Sequence, residues 1–438
     1  VLKVENSLVP GAAASSFCWP LQSDIKPFVM RLAIPGKSNS RLIAPEAGSF
    51  LLAIEQQLFY WNISMKVLIT GGAGFIGSHT ADALLARGYD VRVLDSLEMP
   101  VHPNRQIPHY LDSRIEFIRG DVRDEQVLLA ALRGCDVVYH LAAFQDYLPT
   151  FSKFFDVNVT STALIYELIV REKLPVKKVI VASSQAALGE GLYLDADGKP
   201  CLPDIRSDAQ LASGDWECRA PTGHRGPLKM QLTDETVANP QNQYGLSKIA
   251  EERLAIFLGR RYDIPSVAMR YSIVQGPRQS FYNAYSGACR VFCLAFHQKQ
   301  NPVIYEDGNQ IRDFVNIHDV VDANLLVLDD PRANFEMFNV GGGKAITVAQ
   351  FAATVANVFG RTDFEPIASG KYRFGDTRHI FSDINKLANL GWNPKRTTSQ
   401  SVAAYKEWLD EADSVADILD HCQKQMSVLN VVREVRKP

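Results

Sequence analysis

Tyr244 and Lys248 stand four positions apart in the run Tyr244-Gly-Leu-Ser-Lys248, a spacing that puts both side chains on one face of a helix, a single turn apart. Such a pair can take a proton from a hydroxyl. The ammonium favours the phenolate, drawing the phenol pKa toward neutrality so that it accepts the proton. A second hydroxyl is at hand, because Ser183 and Ser184 close the apolar run at 179–182, and one of them can hydrogen-bond the reacting oxygen. Taken alone, the four-residue spacing is common on helix surfaces, so its meaning depends on what the rest of the chain builds around it.

Residues 66–77 read Lys-Val-Leu-Ile-Thr-Gly-Gly-Ala-Gly-Phe-Ile-Gly, a strand, a tight turn and a helix start. Gly71 or Gly72 lets the turn bend, Gly74 lets backbone N–H groups approach a pyrophosphate, and Gly77 lets the helix lie close on its strand, with Phe75 and Ile76 opening the first helical turn. This pattern marks a dinucleotide site. The next apolar run, Val91-Arg92-Val93-Leu94, ends at Asp95, 24 residues after Gly71, where a second parallel strand would deliver a carboxylate to the adenosine ribose hydroxyls. A carboxylate there repels a 2′-phosphate, so NAD is expected rather than NADP; the plainer alternative for Asp95 is a strand-end cap.

Short apolar runs at 115–118, 137–140 and 179–181 alternate with helical patterns near 124–132, 154–173 and 244–261. Alternation of this kind predicts an α/β fold, a doubly wound parallel sheet of Rossmann type covered on both faces. The nucleotide-binding half is expected over 65–270, with a smaller C-terminal substrate-binding lobe mainly over 271–405 and a helical segment over 406–438. Ligand should lie at the carboxyl ends of the strands, between the lobes. Residues 190–240 are too long for a plain connection and read as an insertion beside the site. It holds Cys201, Cys218 and His224, but Ala220-Pro-Thr-Gly223 stands where a paired-cysteine knuckle would be, so no bound metal is expected. Prolines interrupt every apolar stretch of residues 1–64; that part is expected to be a disordered or non-native extension, with the compact fold starting at Met65.

Composition narrows the function classes. The 438 residues carry 46% hydrophobic and 22% charged side chains and a net charge of −3, which fits a soluble globular protein with no basic stripe for nucleic acid or an anionic membrane. Seven cysteines without regular spacing suit a reducing compartment, and a cytoplasmic location is expected; Cys289 and Cys293 read as buried thiols sharing a helix face.

Taken in order, Gly71-Gly-Ala-Gly-Phe-Ile-Gly77, Gly120-Asp-Val122, His140-Leu-Ala-Ala143, Asn158, Ala182-Ser-Ser184, Tyr244-Gly-Leu-Ser-Lys248, Gly276-Pro-Arg278, Arg312-Asp-Phe314 and Phe338-Asn-Val-Gly341 resemble the extended short-chain dehydrogenase/reductase family, the NAD-dependent nucleotide-sugar epimerases and dehydratases, over residues 65–405. The resemblance implies a catalytic trio of Ser184, Tyr244 and Lys248, with Lys248 also reaching the nicotinamide ribose. It places Asp121 and Val122 near the adenine, Leu141, Ala142 and Ala143 behind the cofactor, and Asn158 holding the chain near the catalytic face. Arg312 and Arg373 match the arginines that clamp a nucleotide diphosphate, with Asp376 near its ribose; guanidinium forks suit phosphate oxygens. Helices near 154–173 and 244–261 would form the homodimer bundle usual in such relatives.

The departures from the family bear on the reaction. Dehydratases resembling this chain place an Asp-Glu pair after the catalytic Ser or Thr, whereas this chain has Gln185 and Ala186. Without that acid, water elimination lacks a proton donor, which leaves reversible oxidation at C4 and return of hydride to the other face. Ala187-Leu188 replaces the usual Val-Tyr, and Ile273 stands where galactose-type epimerases carry an Asn; both argue against UDP-glucose or UDP-galactose. The phrases Phe144-Gln-Asp-Tyr-Leu-Pro149, Ala182-Ser-Ser-Gln-Ala186, Asp215-Trp-Glu217 and Arg270-Tyr-Ser-Ile-Val-Gln275 look most like epimerases of the dTDP-L-rhamnose 4-epimerase type, an alignment that implies Tyr147 facing the sugar and Gln185 contacting a hydroxyl; the equal alternative is that both only pack the cleft wall. The expectation is an isomerase acting on a dTDP- or UDP-linked sugar. Its rivals are a net dehydrogenase or reductase on the same scaffold and a non-catalytic dinucleotide sensor.

Overall fold

A computed structural model describes residues 65–438 except 147–148, 284–286, 362, 413–417, 419–423, 425–430 and 437–438. The expected extension over 1–64 lies outside the described residues.

Seven strands, β1 (Lys66–Thr70), β2 (Asp90–Asp95), β3 (Glu116–Arg119), β4 (Val137–His140), β5 (Lys178–Ser184), β6 (Ser266–Tyr271) and β7 (Glu336–Val340), form one sheet in the order β7-β6-β5-β4-β1-β2-β3. Every neighbouring pair is parallel. The central strands are buried on both faces, as helices on both sides require. Val67 and Ile69 pack with Ala81 and Leu84 of the first helix (Phe75–Ala86) and with Val320 of helix Ile317–Asp329. On the opposite face, Leu68 packs with Leu128, Ile165 and Ala255 from helices Glu125–Leu132, Ser161–Arg171 and Gln243–Tyr262. The chain leaves β1 toward β2 and returns through β4, so the strand order reverses beside β1 and opens a crevice at the carboxyl ends there.

Six of these seven strands come from residues 65–271, and β7 returns from beyond them, so the two halves interleave. The smaller lobe is built on strands Ile273–Gln275, Ile311–Asn316 and Ala345–Thr347, backed by helices Ala288–His297, Val348–Val358 and Thr398–Asp410. Its core is aromatic: Phe314 stacks on Phe351 at 4.4 Å, and Phe292 on Phe351 at 5.8 Å. Cys289 and Cys293 are buried within it, as their shared helix face requires.

The 190–240 segment is not a bare loop. Strands Tyr193–Leu194, Pro200–Cys201 and Lys229–Met230 make a small antiparallel sheet, and Asp208–Ala212 forms a short helix capped by Ser207. Cys201 and Cys218 are buried against Tyr193, while His224 pairs with Asp195 at 3.0 Å. After helix Thr398–Asp410 the chain supplies a strand, Val432–Glu434, antiparallel to Lys371–Arg373; most of the helical segment expected over 406–438 lies outside the described residues.

Candidate active site

The first βα turn meets the demands of a dinucleotide. Gly71 has φ +68°, and a Cβ on it would lie 2.7 Å from the Ala142 backbone nitrogen. A Cβ on Gly77 would meet the Gly71 carbonyl oxygen. Both positions are therefore closed to any side chain, and β1, the turn and the start of β4's loop pack backbone to backbone. The helix that follows starts at Gly74 with no side-chain cap and no acidic residue in its first turn. Its first N–H groups and positive dipole end are thus left for an anion.

This turn opens into a cleft of about 530 Å³. Gly71, Gly74, Phe75, Ile76, Gly77, Asp95, Asp121, Val122, Leu141, Ala142 and Ala143 line one end of it, and Ser184, Gln185, Tyr244, Lys248, Arg312, Arg373 and Asp376 line the rest. Sequence positions some 300 apart are thus brought to one cavity. Asp95 ends β2 with its carboxylate accepting from the backbone N–H groups of Ala73 and Leu97, at 3.0 and 2.9 Å. Burial raises its pKa, against those two bonds and His102. Asp121 is held by Arg123 through both oxygens, at 2.9 and 2.6 Å, which lowers its pKa.

Asn158 acts on the cleft through the backbone rather than lining it. It is fully buried and does not line the cleft; its side chain accepts from Phe144 N and donates to Phe144 O and Ser247 Oγ, at 2.7, 3.1 and 2.9 Å. It ties the loop after β4 to the catalytic helix, one layer behind any cofactor. The segment carrying it, Asp156–Thr160, is a π-helical turn, a local widening that often marks functional positions. Tyr147 lies outside the described residues.

The two serines that close β5 both border the cleft but differ in their side-chain partners. Ser183 Oγ donates to Glu252 at 2.6 Å and Glu252 in turn pairs with Arg270 at 2.9 Å, all buried. Ser184 faces the cleft and hydrogen-bonds the Tyr244 hydroxyl. Alternation along a strand sends neighbours to opposite sides, which selects Ser184 for the site. Beside it, Gln185 opens a short 3-10 turn into the cleft, and its Oε1 is buried without a partner, an acceptor left for a ligand donor.

Tyr244 and Lys248 lie on helix Gln243–Tyr262, which Asn242 caps through Gly245 N at 2.8 Å. The Lys248 ammonium is 5.9 Å from the Tyr244 ring centre, and it donates to the Ala182 carbonyl at 2.8 Å and to Glu251 at 2.7 Å. The expected drop of the phenol pKa toward neutrality is not found. Burial pushes Tyr244 up, Ser184 opposes the rise, and Glu251 adds to it. A phenolate buried at the cleft wall is costly to form, and a carboxylate shares the lysine that would support it.

At the far end of the cleft Arg312 donates to the carbonyls of Ile311, Thr377 and Arg378, at 2.9, 2.9 and 3.0 Å. Arg373 pairs with Asp376 at 2.8 Å, so the Asp376 carboxylate is already engaged. Residues 376–378 are fastened from behind by groups the sequence did not single out. Arg206 grips Glu306 with two bonds of 2.9 Å and donates to the Asp376 carbonyl at 2.8 Å. Arg378 pairs with Glu306, Asp307 and Glu217, at 3.1, 2.7 and 2.7 Å, and its N–H donates to Glu190 at 2.7 Å. Gly189, Gln241 and Asn242 flank the 190–240 segment and line the cleft, but among the described residues none within the segment does. The segment therefore acts on the cleft from behind. Among the described residues no three His, Cys, Asp or Glu side chains gather as a metal site would need.

Comparison with known proteins agrees with this fold. The model of the NAD dependent epimerase/dehydratase family matches residues 67–341. A dTDP-L-rhamnose 4-epimerase of Burkholderia thailandensis is 33% identical over 350 residues, spanning 78% of this chain and 94% of the relative. Among solved structures, a UDP-glucose 4-epimerase of Thermotoga maritima with UDP-glucose superposes with a TM-score of 0.64 at 28% identity, covering 79% of this chain and 99% of that one. A UDP-glucose 4-epimerase of Thermus thermophilus in complex with NAD superposes with a TM-score of 0.62 at 26% identity, covering 80% and 100%.

Proposed function

We propose, from the premise that this chain belongs to the NAD-dependent epimerase/dehydratase family, that it is an isomerase inverting C4 of a nucleotide-diphosphate sugar. The observation that carries the reading is the convergence of Ser184, Tyr244 and Lys248 with the Gly71–Gly77 turn in one cleft. Bound NAD would supply a reversible hydride acceptor at C4, which allows that carbon to lose and regain its configuration. The residues that fit it are Gly71, Gly74 and Gly77 under the pyrophosphate, Asp95 at the ribose, Asp121 and Val122 at the adenine, and Leu141, Ala142 and Ala143 along one wall.

Tyr244 accepts the O4 proton as general base and returns it, while Ser184 donates a hydrogen bond to the same oxygen and keeps it in line with the phenol. Lys248 supplies positive charge beside the phenol. Arg312 and Arg373 hold the diphosphate, with Asp376 orienting Arg373, and Gln185 offers its free Oε1 to a sugar hydroxyl. Gripping the diphosphate rather than the sugar retains the 4-keto sugar without fixing its orientation, and presentation of either face to hydride requires that freedom. The absence of an acidic pair at Gln185 and Ala186 favours epimerisation over elimination of water.

The finer reading is a dTDP-linked 6-deoxysugar as substrate, supported by the relative from Burkholderia thailandensis. A homodimer through the helices near 154–173 and 244–261 and a cytoplasmic location belong to the same reading. Among the described residues no helix is long and apolar enough to cross a membrane.

Tyr244→Phe tests the assignment of the base. It should retain NAD and nucleotide binding and lose turnover by roughly 10²- to 10⁴-fold; near-normal turnover would remove Tyr244 from that role.

A further inference from the structure

Glu251 is a fully buried carboxylate one turn along the catalytic helix from Lys248, with Oε2 2.7 Å from the lysine Nζ and Oε1 without a partner. The mechanism above makes no use of it. Its neighbour Glu252 is accounted for by Arg270 and Ser183, so the second acidic group of this helix turn is matched by its own cation and Glu251 is left to Lys248.

The charged and titratable groups facing it are Lys248, Glu252 and Tyr244 on its own helix and Tyr271 from β6. His140 of β4, close enough to Lys248 to feel its charge, is fully buried and kept neutral, its pKa pushed down to about 3 by burial and by that lysine. The Tyr271 hydroxyl is satisfied by Asn324 at 2.7 Å. With Glu251 and Glu252 ionised and Lys248 and Arg270 charged, the buried cluster is neutral. Ionising Tyr244 then adds an unmatched negative charge in a low-dielectric setting. With Glu251 protonated, the charge of Lys248 is available to the phenolate instead. Burial, partly offset by Lys248, pushes the Glu251 pKa up to about 7.

We infer that Glu251 is a positioning residue that competes with the Tyr244 phenolate for Lys248, so that the two share one negative charge between them. The inference rests on the proposed role of Tyr244 as acceptor of the O4 proton. Its proton balance is closed: a proton leaving the Tyr244 hydroxyl and one gained by the Glu251 carboxylate exchange a phenol and a carboxylate for a phenolate and a carboxylic acid, with no change in the charge of the cluster. The O4 proton then has a phenolate to receive it. A purely structural ion pair would hold Lys248 in place without coupling to the phenol.

The test is the pH titration of tyrosinate absorbance in the NAD-loaded protein, with Tyr244→Phe identifying which part of the signal belongs to Tyr244. Glu251→Gln removes the competing charge and should move that inflection to lower pH by about one unit or more. Glu251→Met, of similar length and also uncharged, should do the same and serves if the amide is not tolerated. In the unmodified protein the Tyr244 signal should rise over a wider pH span than a single group gives. An inflection unmoved or raised in the variants, or a single-group curve in the unmodified protein, overturns the inference. If no sugar nucleotide is turned over while the inflection shifts as stated, the epimerase reading fails and the coupling stands; intact turnover with an unshifted inflection removes Glu251 alone.

Discussion

Arg206 and Glu306, 100 residues apart in the chain, meet in a two-pronged ion pair of 2.9 Å on each arm, with both side chains out of water. The same guanidinium holds the Asp376 carbonyl, which joins the 190–240 segment to the backbone that presents Arg312, Arg373 and Asp376. Removing Arg206 takes away the two-pronged partner of a buried carboxylate and leaves Glu306 with Arg378 alone, at 3.1 Å.

Arg206→Ala should therefore destabilise the fold by roughly 3–5 kcal/mol and raise KM for the nucleotide sugar more than it lowers kcat. The Arg206→Met, Glu306→Leu double substitution should recover part of the lost stability, because Glu306 no longer sits under-matched while Arg378 keeps Asp307 and Glu217 and Glu190 keeps the Arg378 N–H. Thermal melts and steady-state kinetics of the three variants check both statements. Equal loss in the double variant would mean that the pair is not the source of the effect.

Ser183 and Ser184 should part in their kinetics as they do in their contacts. Ser184→Ala removes a hydrogen bond to the reacting oxygen and is expected to lower kcat by roughly 10- to 10²-fold with little change in melting temperature. Ser183→Ala should lower the melting temperature, since Glu252 loses a buried donor, while leaving kcat within a few-fold. The reverse pattern would exchange their roles.

Acid should loosen the rear support of the clamp. His379, together with Arg378, holds the Glu217 carboxyl down at about 2, below its ordinary value. A group depressed in the folded state contributes stability above its unfolded pKa, near 4.5, and that contribution fades as pH falls from there toward 2. Glu217→Gln should thus narrow the difference in melting temperature between neutral and acid solution. An unchanged acid response would exclude Glu217 from it.

Much of this site was legible in the sequence because its signals are local. Glycines at 71, 74 and 77 imply a turn and a helix start whatever surrounds them, and the Tyr244–Lys248 spacing needs only a helix. The cleft also gathers Gln185, Arg312 and Arg373, which family resemblance supplied and no local pattern could, and Ser184, one of two hydroxyls that the strand end offered and between which the resemblance chose. What stayed hidden depends on long-range pairing. Arg206, Glu306 and Arg378 look like ordinary surface charges until the fold brings segments some 70 to 190 residues apart together. The strand at 432–434 is likewise defined only by its partner at 371–373. Glu251 was closer to view, three positions after Lys248 on the same helix, but its burial and its competition with Tyr244 follow from β5 and β6 packing over that face.

The central claim is that bound cofactor is recycled while C4 is inverted. Purified protein, incubated without added cofactor with dTDP-L-rhamnose, UDP-galactose or UDP-glucuronate in turn, should form the C4 epimer of one of them. Proton NMR reads the configuration, and the absorbance of reduced cofactor should show no net gain. Accumulation of reduced cofactor in step with substrate loss, or turnover only while added NAD is consumed, would contradict the account and make the protein a dehydrogenase.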